Sequence, residues 1–449
     1  MNKSYLQSLS QEGVGYLSSC KRTYIQHLAK ASEIVNIRIT ADIVDQSEKN
    51  LFRQDELIQP GLVFRLMQIP VEILVSLFVK VEREKSLFED FQQLIQQDLL
   101  LSAIDENHSI EKLVSQLLEM LPAYPVLEQH LSLLAIQLPK TYLRTLYCSI
   151  LSLLIAKEMR LTLLDIHTIF FASLSHDLGM LFVDPLVLNK KDKLSGDDWF
   201  QIQQHLPMSV ELLRSIPKFP EQAITAVSEH HERCDGTGYP AAKVESEISL
   251  LGQILGLTDS LAAIYFNRFK NEGRSLRDAA AIIQLNQQAY LHRNYELVMA
   301  VLKRGEMPLK NVINENTPAL MADFAQKNQF LANWFNLLRE CLLSVGFTHG
   351  DRKLHALQNV IIHVATTIRG SGIFYESNGQ KIESTTQLVP HDEAMNIENL
   401  MMLQQEFLFH LQRLNRMLQL YLDSNETKNK DIETKLRNGF DKILDLLNG

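Results

Sequence analysis

Apolar residues recur along most of this chain at steps of three and four, the spacing that places them on one face of an α-helix. Leu143, Leu146, Ile150, Leu153 and Leu154 form one such stripe. Pro139 just upstream supplies a helix start, where its missing N–H costs nothing. Leu400, Leu403, Phe407, Leu411, Leu414, Leu418 and Tyr421 form a second stripe. It predicts an amphipathic helix or coiled-coil seam that covers either its own domain or a second copy in a homodimer. Helical periodicity also runs from Leu62 through Met120, after a short β-element near Ile37 to Phe52. Between Arg369 and Asn396 the pattern fails around Gly370, Gly372, Gly379 and Pro390, which predicts a loop, and Asp423 to Lys430 reads as a short polar linker. The chain is therefore expected to be mainly α and to have three parts. These are a small mixed N-terminal module over residues 1–120, of unassigned role, a helical bundle over 121–304 and a helical C-terminal region over 305–449.

Two apolar runs, Leu146 to Ala156 and the stretch around Ile73 to Val79, fall short of the roughly 20 residues needed to span a bilayer. Both predict buried helix segments and no membrane span. The stretch from Met1 to Gly15 is polar and lacks the charged start and apolar run of a signal peptide. Cys20, Cys148, Cys234 and Cys341 are scattered without a CxxC pair, which fits a reducing, cytoplasmic compartment. A formal net charge of -9 argues against a general nucleic-acid or anionic-membrane binder, so an anionic substrate needs a local basic cluster.

The chemistry concentrates in the middle third. His176-Asp177 follow an apolar stretch, Phe170 to Leu174, and so emerge at the end of a buried helix. His205 shares a helix with Trp199, Ile202, Val210 and Leu213, near the core side, where an unpaired polar ring is costly. His230 and His231 end the apolar helix containing Ile224 and Val227, and the glycine-rich run after them permits a tight reversal. Asp259 completes the set. Imidazole nitrogens with carboxylate oxygens suit borderline divalent metals such as iron, manganese or zinc, and a carboxylate can bridge two ions. A second His-Asp pair, His391-Asp392, sits in the polar loop and reads as chance.

The run His230-His231-Glu232-Arg233-Cys234-Asp235-Gly236-Thr237-Gly238-Tyr239-Pro240 resembles the signature of the HD-GYP phosphodiesterases. His176-Asp177-Leu178-Gly179 is similar to that family's HD-x-G, Gln201 to Leu213 to its next histidine helix, and Ile254 to Asp259 to the segment bearing its last aspartate. The likeness covers roughly residues 140–304. It implies an HD-type helical bundle that holds an iron or manganese centre and hydrolyses cyclic di-GMP. Asp177 and His176 would then be catalytic. One metal position would take Asp177, His205, His230 and His231, and the other His176, Asp177 and Asp259. Lys190, Arg233, Asp235, Tyr239 and Arg268 would contact the cyclic dinucleotide, with Lys191 and Lys193 adding positive charge.

Departures from the family's pattern accompany the likeness. Met180 stands where the family has a lysine after HD-x-G, and it can neither donate a hydrogen bond nor carry charge. Counting along the preceding helix puts Arg144 at the family's first histidine ligand, and a guanidinium cannot ligate a metal. Lys140 stands where trinuclear members have a glutamate, and Asn267-Arg268-Phe269-Lys270 replaces Arg-Pro-Tyr-Arg. The expectation is one tight ion and a second, weak site. Two functions remain open: a slowed cyclic-dinucleotide phosphodiesterase, or a degenerate member that acts as a cyclic-dinucleotide sensor or protein-interaction scaffold.

Overall fold

The computed structural model describes residues 22–44, 49–59, 61, 63–67, 79–192, 194–272, 274, 276–286, 289–290, 295–303, 317–371, 374–377, 381–384, 393–423 and 429–448. Met1 to Gly15, Cys20, Lys193, Gly372, Gly379, Pro390, His391-Asp392 and most of the run from Ile73 to Val79 lie outside them. The fold is mainly helical, and it gathers into two compact units. The first is Met1–His230 with Ser249–Asn267, and the second is His231–Ile248 with Arg268–Gly449.

In the first unit, helix α1 over 22–31 is followed by the strands β1 (Ile37–Ile39), β2 (Ile43–Val44), β3 (Asn50–Phe52) and β4 (Val79–Val81). They make two antiparallel pairs, β1 with β4 and β2 with β3. Strand β4 interrupts the helical periodicity read from Leu62 through Met120. Val79 and Val81 point inward and Lys80 outward, a period of two that is too short to distinguish from a helix in the sequence. Helices α2 (Leu87–Gln97), α3 (Leu99–His108), α4 (Ile110–Leu118) and α5 (Pro125–Gln137) complete the approach to the bundle.

The bundle is built around α6 (Pro139–Glu158), which begins at Pro139 as its N1 residue. From Thr145 to Ala156 every residue of α6 is buried, so the apolar stripe widens to the whole circumference. The helices α5, α7 (Leu163–Ser175) and α11 (Leu250–Ile264) pack most closely on it. Thr162 caps α7 by accepting from Asp165 N, and Ser249 caps α11 by accepting from Gly252 N. Helix α10 (Glu221–Glu229) lies against α7, α11 and α9 (His205–Arg214).

The single helix expected from Trp199 to Leu213 is two, α8 (Gly196–Gln203) and α9. Pro207, in the first turn of α9, has no N–H to give to the carbonyl of Gln203, and its ring would collide with that carbonyl in a continuous helix. The break leaves His205 as the first residue of the new helix.

The second unit joins the signature loop, 231–248, to α12 (Ala279–Leu285), α13 (Tyr295–Lys303), α14 (Thr317–Leu343), α15 (Arg352–Ser371), α16 (Glu393–Asp423) and α17 (Lys430–Asn448). Leu411, Leu414 and Leu418 of α16 are buried in one core with Phe335, Leu338, Ile361 and Leu436, so the predicted seam is covered within the chain. The stretch expected to be a loop from Arg369 to Asn396 contains an antiparallel hairpin, β5 (Phe374–Ser377) with β6 (Lys381–Ser384), in the register Phe374 to Ser384 and Ser377 to Lys381. Among the described residues no helix is long and apolar enough to cross a membrane.

Candidate metal centre

Helix α7 delivers His176 at its C-terminal cap, and the chain then turns through Asp177 into a 3-10 turn, Leu178–Phe182. Gly179 lets this turn lie flat on α9. A Cβ there would sit 1.8 Å from the carbonyl oxygen of His205. Ser209 of α9 ties the two together, because its Oγ accepts from Gly179 N and donates to His176 O, both at 2.8 Å. Helix α10 brings His230 to its C-terminal cap, and α11 carries Asp259. His176, His205 and His230 are fully buried, and Asp177 is 1% exposed.

The three imidazoles share one arrangement. Each Nδ1 faces the carbonyl oxygen three residues earlier: Ser173 O at 2.7 Å, Ile202 O at 2.6 Å and Val227 O at 2.7 Å. A carbonyl can only accept, so each Nδ1 carries a proton and each ring turns its Nε2 toward the others. His205 Nε2 and His230 Nε2 are 3.5 Å apart, and His205 Nε2 lies 3.6 Å from Asp177 Oδ1. His176 Nε2 is 3.5 Å from Asp177 Oδ2 and 3.4 Å from Asp259 Oδ1. Ligand-type atoms of His176, Asp177 and Asp259 all fall within 4.8 Å of one another.

Burial disfavours the charged form of every group here. It lowers His205, and it lowers His230 to about 3, with the neighbouring imidazoles adding to the effect. Both rings are therefore neutral near pH 7, the form that ligates a metal. At His176 the burial penalty is outweighed by the Asp177 and Asp259 charges, and its pKa is raised. Burial would raise the two carboxyls, but the Arg144 guanidinium followed by the imidazoles holds Asp177 well below the ordinary range. Arg144 and His176 hold Asp259 at about 2.

Three buried polar atoms, His176 Nε2, Asp177 Oδ1 and Asp259 Oδ1, have no hydrogen-bond partner. Such orphans are costly in a protein interior, and a cation placed among them is the simplest way to satisfy them. Arg144 of α6 is already close. Its Nη2 donates to Asp177 Oδ2, and its Nε lies 3.6 Å from Asp259 Oδ1. Met180 is buried in the 3-10 turn, while Lys140 is exposed on α6.

His231, the next residue after His230, opens the second unit, and its ring stacks on Tyr239 at 4.7 Å between centroids. The loop beyond reverses tightly. The buried Glu232 carboxylate accepts from Ala241 N and Lys243 N, and at Gly238 a Cβ would lie 2.3 Å from Glu232 Cα. Asp235 accepts from Thr237 N and Thr237 Oγ1, and Gly236 has a φ of 80°, which glycine alone adopts without strain. Arg233 lies over the Tyr290 ring, and Arg268 donates to Gln405 of α16. Lys190 is paired on the surface of the first unit with Asp198, the carboxylate that closes the capping box of α8.

Sequence reasoning passed over Arg413 of α16, which donates through Nη2 to Thr237 O at 2.8 Å and to Thr237 Oγ1. A lone arginine between Leu411 and Leu414 on an apolar stripe was the available signal. Ser209 was missed as well, because its two hydrogen bonds join segments about thirty residues apart.

The HD domain family matches residues 126–294. The chain is 32% identical over 133 residues to a 3'3'-cGAMP-specific phosphodiesterase of Vibrio cholerae, covering 30% of this chain and 29% of that protein. It is 27% identical over 139 residues to a cyclic di-GMP phosphodiesterase of Pseudomonas aeruginosa, covering 31% and 34%. It is also 30% identical over 151 residues to a cyclic di-GMP phosphodiesterase of Thermotoga maritima, covering 33% and 40%. The likeness spans less than half the length of each relative.

Proposed function

Because residues 126–294 belong to the HD-GYP group of HD domains, we propose that the chain is a metal-dependent phosphodiesterase acting on a cyclic dinucleotide, with cyclic di-GMP and 3'3'-cGAMP as the substrates to test. The observation that carries this reading is the set of buried imidazoles whose Nδ1–H groups are all tied to backbone carbonyls, with the Nε2 atoms of His176 and His205 turned to Asp177 and that of His230 turned to His205. That arrangement fixes ligand orientation in advance, as metal-binding histidines require. His205, His230, His231 and Asp177 hold one tight ion, iron or manganese. When bound, the ion supplies Lewis acidity to the phosphodiester. Asp177 and His176 complete the catalytic set at the end of α7.

We assign the reaction to residues 121–304, a span that draws on both compact units. The candidate substrate contacts are the basic groups Arg233 and Arg268 and the polar groups Asp235 and Tyr239 of the second unit, and Lys190 of the first. Rigid backbone turns at Gly236 and Gly238 keep Asp235 and Tyr239 in place. Four widely spaced cysteines, with Cys148 and Cys341 buried as free thiols, favour the reducing cytoplasm.

A second reading has one specific support: Met180 and Arg144 replace a donor and a ligand. In that reading the domain binds a cyclic dinucleotide without turning it over. Elemental analysis after reconstitution with iron or manganese under reducing conditions, run beside turnover of both cyclic dinucleotides, separates the two. The enzyme reading expects bound metal, turnover, and loss of both metal and turnover in His230→Ala. Binding without turnover would favour the sensor, and no metal in wild type would sink both.

A further inference from the structure

The second ligand group, His176 with Asp177 and Asp259, has a cation of its own. Arg144 reaches in from α6, donating through Nη2 to Asp177 Oδ2 and placing its Nε 3.6 Å from Asp259 Oδ1. We infer that Arg144 is the resident cation of the Asp177–Asp259 pair and takes the place a second metal ion would hold, so the centre loads one ion and not two. This rests on the metal-centre reading above.

The chemistry of the guanidinium supports it in three ways. It has five donors and no lone pair, so it cannot be a ligand. It keeps its charge at any pH a protein survives, so it cannot step aside by losing a proton. A dication placed against the same two carboxylates would meet this fixed positive charge at close range in a buried site, where screening by solvent is weak.

The exchange also has a structural consequence. Asp177 and Asp259 are 1% and 7% exposed at their side chains, and a buried pair of like charges is costly unless a counter-charge or a proton offsets it. In a site built for two metals that counter-charge arrives with the ions. Here it is encoded in the chain, which leaves the carboxylate pair compensated with no metal bound. Asp177 presents its two oxygens in different directions. Oδ2 is given to Arg144, and Oδ1 lies 3.6 Å from His205 Nε2 on the imidazole side. A single ion can therefore take Asp177 Oδ1 without competing with Arg144.

The test counts ions. Wild-type protein titrated with Mn(II) is expected to hold one ion per chain by elemental analysis, with the electron paramagnetic resonance signal of an isolated Mn(II). Arg144→His, which trades the cation for a lone pair, is expected to hold two ions with an exchange-coupled signal. Arg144→Lys keeps the charge and is expected to stay at one. Thermal unfolding adds a readout that needs no activity: Mn(II) should raise the melting temperature of Arg144→His more than that of wild type, because only the variant needs an ion to compensate its carboxylates. Two ions in wild type would overturn the inference and leave the phosphodiesterase reading standing. No ion in either wild type or Arg144→His would overturn both. The wild-type count needs no variant to fold, so it decides even if Arg144→His does not.

Discussion

Gly179→Ala tests the packing that holds the candidate centre together. The added methyl would lie 1.8 Å from His205 O, 2.6 Å from His205 C and 2.9 Å from His205 Cα. All three are backbone atoms at the start of α9, so no side-chain rotation relieves the clash. Reaching ordinary contact near 3.4 Å means parting the two segments by about 1.6 Å. Overpacking of this kind costs about 1–3 kcal/mol. The same movement breaks the two hydrogen bonds made by Ser209, at about 1 kcal/mol each. A total of about 3–5 kcal/mol lowers the melting temperature by roughly 6–20 °C for a unit of this size. His205 would also be pulled from Asp177, so bound metal should fall with stability. Gly196→Ala is the control, since nothing lies within 4 Å of its Cβ in the first turn of α8; its effect should stay within about 0.5 kcal/mol. The assay is thermal unfolding of both variants with metal analysis of each. If Gly179→Ala melts within about 2 °C of wild type and keeps its metal, the turn after α7 does not rest on α9 and the reasoning fails.

Other expectations follow from the same description. Leu411→Asp or Leu414→Asp puts a charge into the fully covered seam of α16 and should destabilise the second unit by more than about 3 kcal/mol, read as a shifted denaturant midpoint; an unchanged midpoint would mean the seam is not buried. His130 has its pKa lowered from 6.5 to about 4 by burial. The unfolded chain therefore binds a proton that the native state refuses, and stability is lost as pH falls from 6.5 toward 4, by about 2 kcal/mol at pH 5. His130→Leu should flatten that part of the pH dependence, and equal slopes in variant and wild type would count against it. Arg144→His combined with Met180→Lys should hydrolyse cyclic di-GMP at least about tenfold faster than wild type in a product-release assay, because it supplies a ligand and a phosphate donor; adding Asp177→Ala should remove the gain. A double variant that gains an ion but no turnover favours the sensor reading.

The elements that sequence made legible are those whose signal is local. Residues His176-Asp177 and the run from His230 to Pro240 carry their own turn chemistry, and α6 announces itself by spacing and by Pro139. Arg144 was legible as a residue that cannot ligate, but its engagement with both carboxylates depends on α6 meeting the end of α7 and the interior of α11, which no local pattern contains. The division between α8 and α9 escaped because the apolar period runs through it, although Pro207 was in plain sight. The β5 and β6 hairpin is four residues a side and rich in polar residues, too short for alternation to stand out from a loop.

The bond from Arg413 to the signature loop spans 176 residues of chain. Local bonds, such as those of Asp235 with Thr237 and of Glu232 with Ala241 and Lys243, are available as soon as residues 231–248 leave the ribosome. The guanidinium that joins α16 to Thr237 is made much later, on the order of ten to thirty seconds at ordinary rates of synthesis. During that interval the loop bearing Asp235 and Tyr239 has its local bonds and those to Ala289 and Arg352, which are made earlier, but not the one to α16. Synthesis halted between Asp259 and Arg413 yields the complete histidine set and a loop that still lacks its bond to α16.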